Sequence, residues 1–354
     1  MRILIFSELF YPHGGGAEKA TWLYSQLLAK EGFSVTIVTN KFPNELNHEV
    51  INDRVEVFRV PMKAMFGTRY CTLVNIGILT SNFVIKLIKR SDVIYIPGGW
   101  YSALPIAKYY KKPTVVHLHN YLITCPTSLM YDFVTGNTCP SSLKSFMLHE
   151  IIERRRRIDS VVLSLFMNKI LGEHYSKLGL FADAIVFVSR AQMNLVLSSS
   201  PYIRDKSHLV YNPIPNVPLI KARKIGVGYF GGKSYVKGYY VLTRALKYLK
   251  KQKEVIEVYL TKTSSKHRSV ALDNYVLLHL LNKLDNTRFL ELMKKLTMVV
   301  VPSLWPEPLP YSLIESMLYG KLIIASKVGG IPEIIKSANV AVRLIEAGNY
   351  EQLA

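Results

Sequence analysis

The chain has 354 residues, 49% of them hydrophobic, and a formal net charge of +20. That length accommodates two domains of ordinary size, and the apolar content excludes a disordered chain. Its three cysteines, Cys71, Cys125 and Cys139, exclude a disulfide scaffold and lack four-ligand zinc spacing, so they read as structural thiols in a reducing compartment. The surplus of positive charge points to an anionic partner: nucleic acid, an anionic membrane surface or anionic small molecules. Arg2–Ser7 is a short apolar run without a cleavage pattern, and Glu8 follows at once. No run reaches the length of a membrane span unbroken; in Leu73–Ile88 the residues Asn75, Thr80, Ser81, Asn82 and Lys86 interrupt it. The expectation is a cytoplasmic protein, soluble or peripheral.

In chain order, Ile3–Ser7 predicts a strand and Ala17–Glu31 a helix ended by Gly32. Between them lies a loop with Gly14, Gly15 and Gly16 in a row. Val35–Thr39 predicts the next strand, so the chain opens as β-α-β with a glycine-rich first turn. The spacing is not G-x-G-x-x-G, which leaves a dinucleotide fingerprint unsupported. The glycines serve either close approach of backbone N–H groups to a ligand or the turn geometry alone. Strands at Arg54–Val60, Asp92–Ile96 and Pro113–His119 alternate with helices at Val74–Lys89 and Trp100–Tyr110. Such alternation predicts parallel, doubly wound sheets. His119 falls at the carboxyl end of its strand, where ligand-binding residues collect. His117 shares its face and reads as a core histidine.

Leu143–Leu178 predicts one long helical region. Its run Arg154–Arg157, flanked by Ile151, Ile152, Ile158 and Val161, is amphipathic and basic. It reads either as a surface for anionic lipid or as an ordinary solvated face. Strands follow at Asp183–Ser189 and His208–Tyr211. Asn212–Lys224, with Pro213, Pro215 and Pro218, predicts the linker between a domain of residues 1–215 and one of residues 216–354.

The second half restarts the pattern. Ile225–Phe230 predicts a strand, then come Gly231-Gly232-Lys233, Lys237-Gly238 and a helix to Lys250. Val255–Leu260 predicts a strand, Lys262–Leu284 gives no assignable pattern, and Arg288–Lys295 predicts a helix. Met298–Val301 is strand-like. After the loop Leu304–Leu309, Pro310 suits the first position of a helix running to Tyr319 and closed by Gly320. Leu322–Ala325 predicts another strand, followed by Gly329-Gly330 and a helix opening at Pro332-Glu333. Glu307 lies on the loop and Glu315 on the helix, with seven residues between them. The helix N-terminus at Tyr311 and Ser312 offers N–H groups suited to phosphate, and carboxylates accept bonds from hydroxyls. Together they suit a ligand with phosphates and vicinal hydroxyls; acids that merely cap a surface loop are the other reading.

These motifs, in this order, resemble the retaining glycosyltransferases of family 4 (group 1), over Ile3 to about Glu333. The resemblance implies an α/β GT-B fold: two Rossmann-like, doubly wound parallel-sheet domains facing a cleft. Residues 1–215 would bind the acceptor and residues 216–354 the nucleotide-sugar donor, with a C-terminal end short for the family. The resemblance casts Glu307 against the donor sugar, Glu315 against the ribose and Lys237 against the diphosphate. Gly231, Lys233, Tyr311 and Ser312 would complete donor binding. His119 would contact the donor sugar or the acceptor, and Gly14, Gly15 and Gly16 would form the acceptor or phosphate loop. Three positions depart from the family pattern: Pro310 for a glycine, Gly232 for an arginine with Lys233 one residue later, and Asn120 for an aspartate.

The implied reaction is transfer of a sugar from a nucleotide donor to a hydroxyl acceptor, lipid-linked in many relatives, with peripheral contact to anionic membrane. No D-x-D motif occurs, so no metal is expected, and no cofactor beyond the nucleotide sugar as co-substrate. A catalytically weak nucleotide-sugar binder and a basic nucleic-acid-binding protein are the alternatives. The charge is spread along the chain without an aromatic-basic motif, which weighs against nucleic acid.

Overall fold

A computed structural model describes residues 1–62, 76–125, 127–138, 142–155, 161–162, 164–165, 173–217, 219–220, 226–249, 255–336 and 341–354. The expectations at Cys71, Pro126, Cys139, Arg156, Arg157, Ile158 and Pro218 lie outside the described residues. The chain divides into two compact units. One comprises Met1–Ile151 and Arg156–Pro213, the other Ile152–Arg155 and Ile214–Ala354.

The N-terminal unit is built on β1 (Arg2–Phe6), β2 (Ser34–Asn40), β3 (His48–Asn52), β4 (Val55–Val60), β5 (Val93–Ile96), β6 (Thr114–Leu118), β7 (Ala184–Phe187) and β8 (Ser207–Leu209). They form one sheet in the order β3-β4-β2-β1-β5-β6-β7-β8. In β1, Ile3, Leu4, Ile5 and Phe6 are all buried. Consecutive burial means that both faces are covered, as in the centre of a parallel sheet. The helix Gly16–Lys30 returns the chain from β1 to β2, and Gly32 closes it with φ +87°.

The C-terminal unit repeats the plan with β9 (Gly226–Tyr229), β10 (Ile256–Leu260), β11 (Arg268–Ala271), β12 (Val276–Leu280), β13 (Met298–Val301), β14 (Leu322–Ser326) and β15 (Val342–Ile345). Their order is β11-β12-β10-β9-β13-β14-β15. The central strands β9, β13 and β14 are mutually parallel, so their carboxyl ends share one edge.

The parallel, doubly wound sheets are as expected except at one edge of each, and one expectation needs correction. The sheets are not parallel throughout: β3 runs antiparallel to β4, and β11 antiparallel to β12. Both are edge strands. β3 alternates exposed and half-buried residues and β11 is exposed throughout, so neither carries the apolar run that marks a central strand. The region Leu143–Leu178 is not one long helix. A helix at Leu143–Leu148 widens into a π-turn at His149–Glu153, and Arg155 then takes a left-handed conformation, φ +55°. Helix recurs at residues 161–162 and 164–165 and again at Glu173–Leu178. Arg154 and Arg155 therefore sit outside a helix and cannot contribute to a basic helical face.

Candidate active site

In the C-terminal unit the loops after β9, β13 and β14 meet. The first carries Gly231 to Gly238, the second Pro302 to Pro310, and the third Lys327 to Gly330. Lys237 Nζ lies 3.7 Å from Glu307 Oε1. The Lys237 side chain is 45% exposed and that of Glu307 6%. The carboxylate is thus fixed while the ammonium reaches solvent. Ser303 donates to Glu307 Oε1 at 2.9 Å, and Gly330 N–H donates to the Glu307 carbonyl at 2.8 Å.

Two glycines permit this closeness. Gly238 has φ +80°, and a Cβ there would lie 1.8 Å from the Pro302 carbonyl oxygen. At Gly329, φ +52°, a Cβ would lie 2.1 Å from the Glu307 carbonyl oxygen. No other residue fits either place. Gly231 is crowded as well, its Cβ position falling 2.9 Å from Lys237 Cβ. The Leu304 amide bonds the Val236 carbonyl at 2.7 Å, joining the first two loops.

The first loop is tied by a residue that sequence reasoning missed. Glu153 accepts from the Ser234 hydroxyl at 2.6 Å, the Tyr235 amide at 2.9 Å and the Val236 amide at 3.4 Å. Arg155 donates to the Lys233 carbonyl at 2.9 Å. Those two amides are engaged, so charge from this loop comes from the side chains of Lys237 and Lys233, both exposed. Ser303 was missed too. Glu153 left no local signal, whereas Ser303 lies two residues past a predicted strand end.

Pro310 is the residue before the helix, with extended backbone (φ −77°, ψ 122°), and not its first helical residue. The helix Tyr311–Leu318 begins one residue later. The Pro310 carbonyl accepts from the Leu313 and Ile314 amides. Tyr311 is buried, and Ser312 and Glu315 are half-buried on this helix.

In the N-terminal unit the loops after β1, β5 and β6 emerge from adjacent parallel strands, at one sheet edge. The glycine loop is held by Glu18, which accepts from the Gly15 amide at 2.6 Å, beside Gly14 at φ +96°. Glu8 was missed by sequence reasoning. Its carboxylate fits against Gly98 and Gly99, where added Cβ atoms would lie 2.6 Å and 3.2 Å from its oxygens. A glycine pair beginning two residues after a predicted strand was the available signal. Burial raises the Glu8 carboxyl to about 7, outweighing backbone hydrogen bonds from its own amide and that of Gly99; nearby Glu18 adds to the rise.

His119 follows β6 and stacks on His117, ring centroids 4.6 Å apart. This is the shared face that strand periodicity implies. His117 Nδ1 meets the Tyr95 hydroxyl at 2.6 Å, while His119 Nε2 is buried without a hydrogen-bond partner among the described residues. Burial lowers His119 to about 4, so its ring is neutral near pH 7 and able to donate or accept one bond. Asn120 accepts from the Leu122 amide at 2.8 Å, and its carbonyl accepts from the Gln192 side chain at 3.1 Å. Cys125 is buried, its thiol 3.0 Å from the Thr127 hydroxyl. Among the described residues no group of three or more His, Cys, Asp or Glu could hold a metal ion. Among them, too, no helix is long and apolar enough to cross a membrane.

Solved structures share this architecture. Sucrose-phosphate synthase from Thermosynechococcus elongatus matches with a TM-score of 0.66 at 16% identity, over 99% of this chain and 87% of that one. Anabaena Alr3699/HepE, solved in complex with UDP and glucose, matches at 0.62 and 18% identity, over 100% of this chain and 88% of that one. At such identities the likeness shows the fold, that of GT-B glycosyltransferases. Among curated proteins, a 42.6 kDa protein in the cps region of Klebsiella pneumoniae is 22% identical over 352 residues, 94% of this chain and 87% of its own length. One component of the human phosphatidylinositol N-acetylglucosaminyltransferase is 31% identical over 70 residues, 20% of this chain and 14% of its own length. The model of Glycosyltransferase Family 4 matches residues 14–216, and that of Glycosyl transferases group 1 matches residues 212–354. The chain belongs to this glycosyltransferase family.

Proposed function

We propose that this chain is a retaining glycosyltransferase that moves a sugar from a nucleotide-sugar donor to a hydroxyl acceptor in glycan or glycolipid biosynthesis. One observation carries the reading: an exposed ammonium and a buried carboxylate lie 3.7 Å apart on loops from adjacent parallel strands. Lys237 turns from Glu307 to the donor diphosphate, where it meets the charge that develops as the leaving group departs. Glu307, immobilised by Ser303 and Gly330, accepts hydrogen bonds from the sugar hydroxyls. Tyr311 and Ser312 lie at a helix N-terminus, whose partial positive charge suits the phosphates, and Glu315 on that helix is assigned to the ribose. Lys233 adds charge without the bidentate fork of an arginine.

The C1–O bond to the nucleoside diphosphate breaks and a C1–O bond to the acceptor forms on the same face of the sugar. The acceptor proton leaves with the phosphate. Neutral His119 orients a sugar or acceptor hydroxyl, and Gly14, Gly15 and Gly16 border the acceptor. No divalent cation takes part. The UDP and glucose bound to the Anabaena structure support a nucleotide-sugar donor. The local likeness to the phosphatidylinositol N-acetylglucosaminyltransferase component supports a lipid-linked acceptor.

The test is release of UDP, GDP or ADP from a panel of nucleotide sugars, in chelator, with Glu307→Ala as control. The expected result is slow hydrolysis of one donor, lost in the variant. Donor binding without turnover, with or without acceptor, would make the chain a nucleotide-sugar binder instead. Binding of no nucleotide sugar by calorimetry would sink the proposal. Product anomeric configuration by NMR tests retention.

A further inference from the structure

The N-terminal unit holds a cavity of about 370 Å³ beside the glycine loop, lined by Tyr11, Trp22, Glu45, Glu49, Ile51 and Arg59 among others. Its size falls in the ~300–1,000 Å³ range of small-molecule pockets. Tyr11 belongs to the loop that carries Gly14, Gly15 and Gly16. Its ring stacks on Trp22, centroids 5.0 Å apart and planes 28° from parallel, with Phe10 behind Trp22 at 5.9 Å. His13 of the same loop meets Glu45 at 2.9 Å and stacks on Phe42 at 4.0 Å. The cavity is therefore walled by a fixed loop and the connection that follows β2.

The polar groups define what fits. Arg59, 6% exposed, bonds Glu45 at 3.2 Å and Glu49 at 2.6 Å. Two carboxylates face one guanidinium already engaged by both, which leaves the cavity with negative charge in a chain of net charge +20. Burial opposes the ionised form of Glu45, but the Phe42 amide, His13 and Arg59 outweigh it and hold its carboxyl below the usual range. Such a site repels phosphate and carboxylate ligands. Carboxylates accept hydrogen bonds from hydroxyls, and the outer face of Tyr11, whose inner face stacks on Trp22, can cover the C–H face of a ring.

We propose that this cavity binds an uncharged pyranose unit of the acceptor, its C–H face on the Tyr11 ring that Trp22 backs and its hydroxyls on Glu45 and Glu49. The word acceptor rests on the glycosyltransferase reading; the binding itself does not. The experiment is saturation-transfer-difference NMR with methyl glucoside, galactoside and mannoside, set against a hexose phosphate and glucuronate at equal concentration. At least one methyl glycoside gives a signal and the charged sugars give none. Glu49→Ala weakens binding about fivefold, the loss of one hydrogen-bond partner. Tyr11→Ala weakens it about tenfold through the lost ring face. Should Tyr11→Ala fail to fold, Glu49→Ala, at a rim position 41% exposed, decides alone. Lys237→Ala protein keeps its glycoside signal, so failure of the donor reading and failure of this one are separable. Silence from every glycoside, equal signal from the charged sugars, or binding that survives the substitutions in folded protein overturns the proposal.

Discussion

Both units place a glycine-bearing loop after their first strand, and the two loops are built for different ends. In the C-terminal unit the glycines answer backbone crowding. Gly238 and Gly329 let three loops close on one another and lock Glu307, while the Lys237 ammonium reaches solvent. In the N-terminal unit Gly14 and Gly15 fold around a side chain, Glu18. The neighbouring groups there, Glu8 and His119, are displaced by burial to about 7 and about 4. The C-terminal site pairs two full charges; beside the N-terminal loop, burial moves Glu8 and His119 toward their neutral forms. A highly charged diphosphate suits the first, and an uncharged hydroxyl the second.

The contrast can be broken at its strongest point by Gly238→Ala. A Cβ 1.8 Å from the Pro302 carbonyl, at φ +80°, is expected to cost about 4 kcal/mol, read by denaturant unfolding. Gly32→Ala is the control, since Gly32 has φ +87° with nothing among the described residues within 4 Å of the new atom. It should cost only about 1 kcal/mol, from the left-handed backbone alone. Equal costs would mean that backbone conformation, and not loop closure, explains the glycine. Next in size, Lys237→Ala should lower donor turnover by about 100- to 1,000-fold with little change in melting temperature. Lys237→Arg should recover part of the turnover.

A smaller effect sharpens the N-terminal half. Burial raises Glu8 from its ordinary 4.5 to about 7, so the folded protein binds its proton more tightly than the unfolded chain does. The stability this confers is fully present below pH 4.5 and is lost as pH rises to about 7. Glu8→Gln should flatten that slope by about 2–3 kcal/mol, seen by comparing unfolding free energies across this window. Parallel pH profiles for both proteins would show Glu8 to be solvated. Smallest, Ser303→Ala removes one hydrogen bond to Glu307 and should cost about 1 kcal/mol. Its effect should appear in affinity for the sugar nucleotide and be absent with the nucleotide alone.

The alternation of strands and helices was legible because central parallel strands are continuous apolar runs, as in Ile3–Phe6 and Met298–Val301. The edge strands were not. His48–Asn52 and Arg268–Ala271 are short and largely exposed, so no burial pattern marks them. The region Leu143–Leu178 misled because its amphipathic composition continues through the π-turn and the left-handed Arg155. In the site, Lys237 and Glu307 were legible through strand-to-helix junctions and glycine signals. Glu153 was not, because its partner Ser234 lies 81 residues away and nothing local announces the contact. The aromatic and carboxylate cavity was hidden because Glu49 and Arg59 meet across β3 and β4, and Tyr11 and Trp22 join them only from the first loop and helix of the folded unit.

The central claim is a division of labour, Lys237 for the diphosphate and Glu307 for the sugar. Calorimetry measures it directly, titrating wild type, Lys237→Ala and Glu307→Ala with the released nucleoside diphosphate and with its intact sugar nucleotide. Lys237→Ala should lose affinity for both ligands. Glu307→Ala should bind the nucleoside diphosphate as wild type does and lose only the affinity that the sugar adds. Equal losses for the nucleoside diphosphate in both variants, or none in Lys237→Ala, would contradict the account.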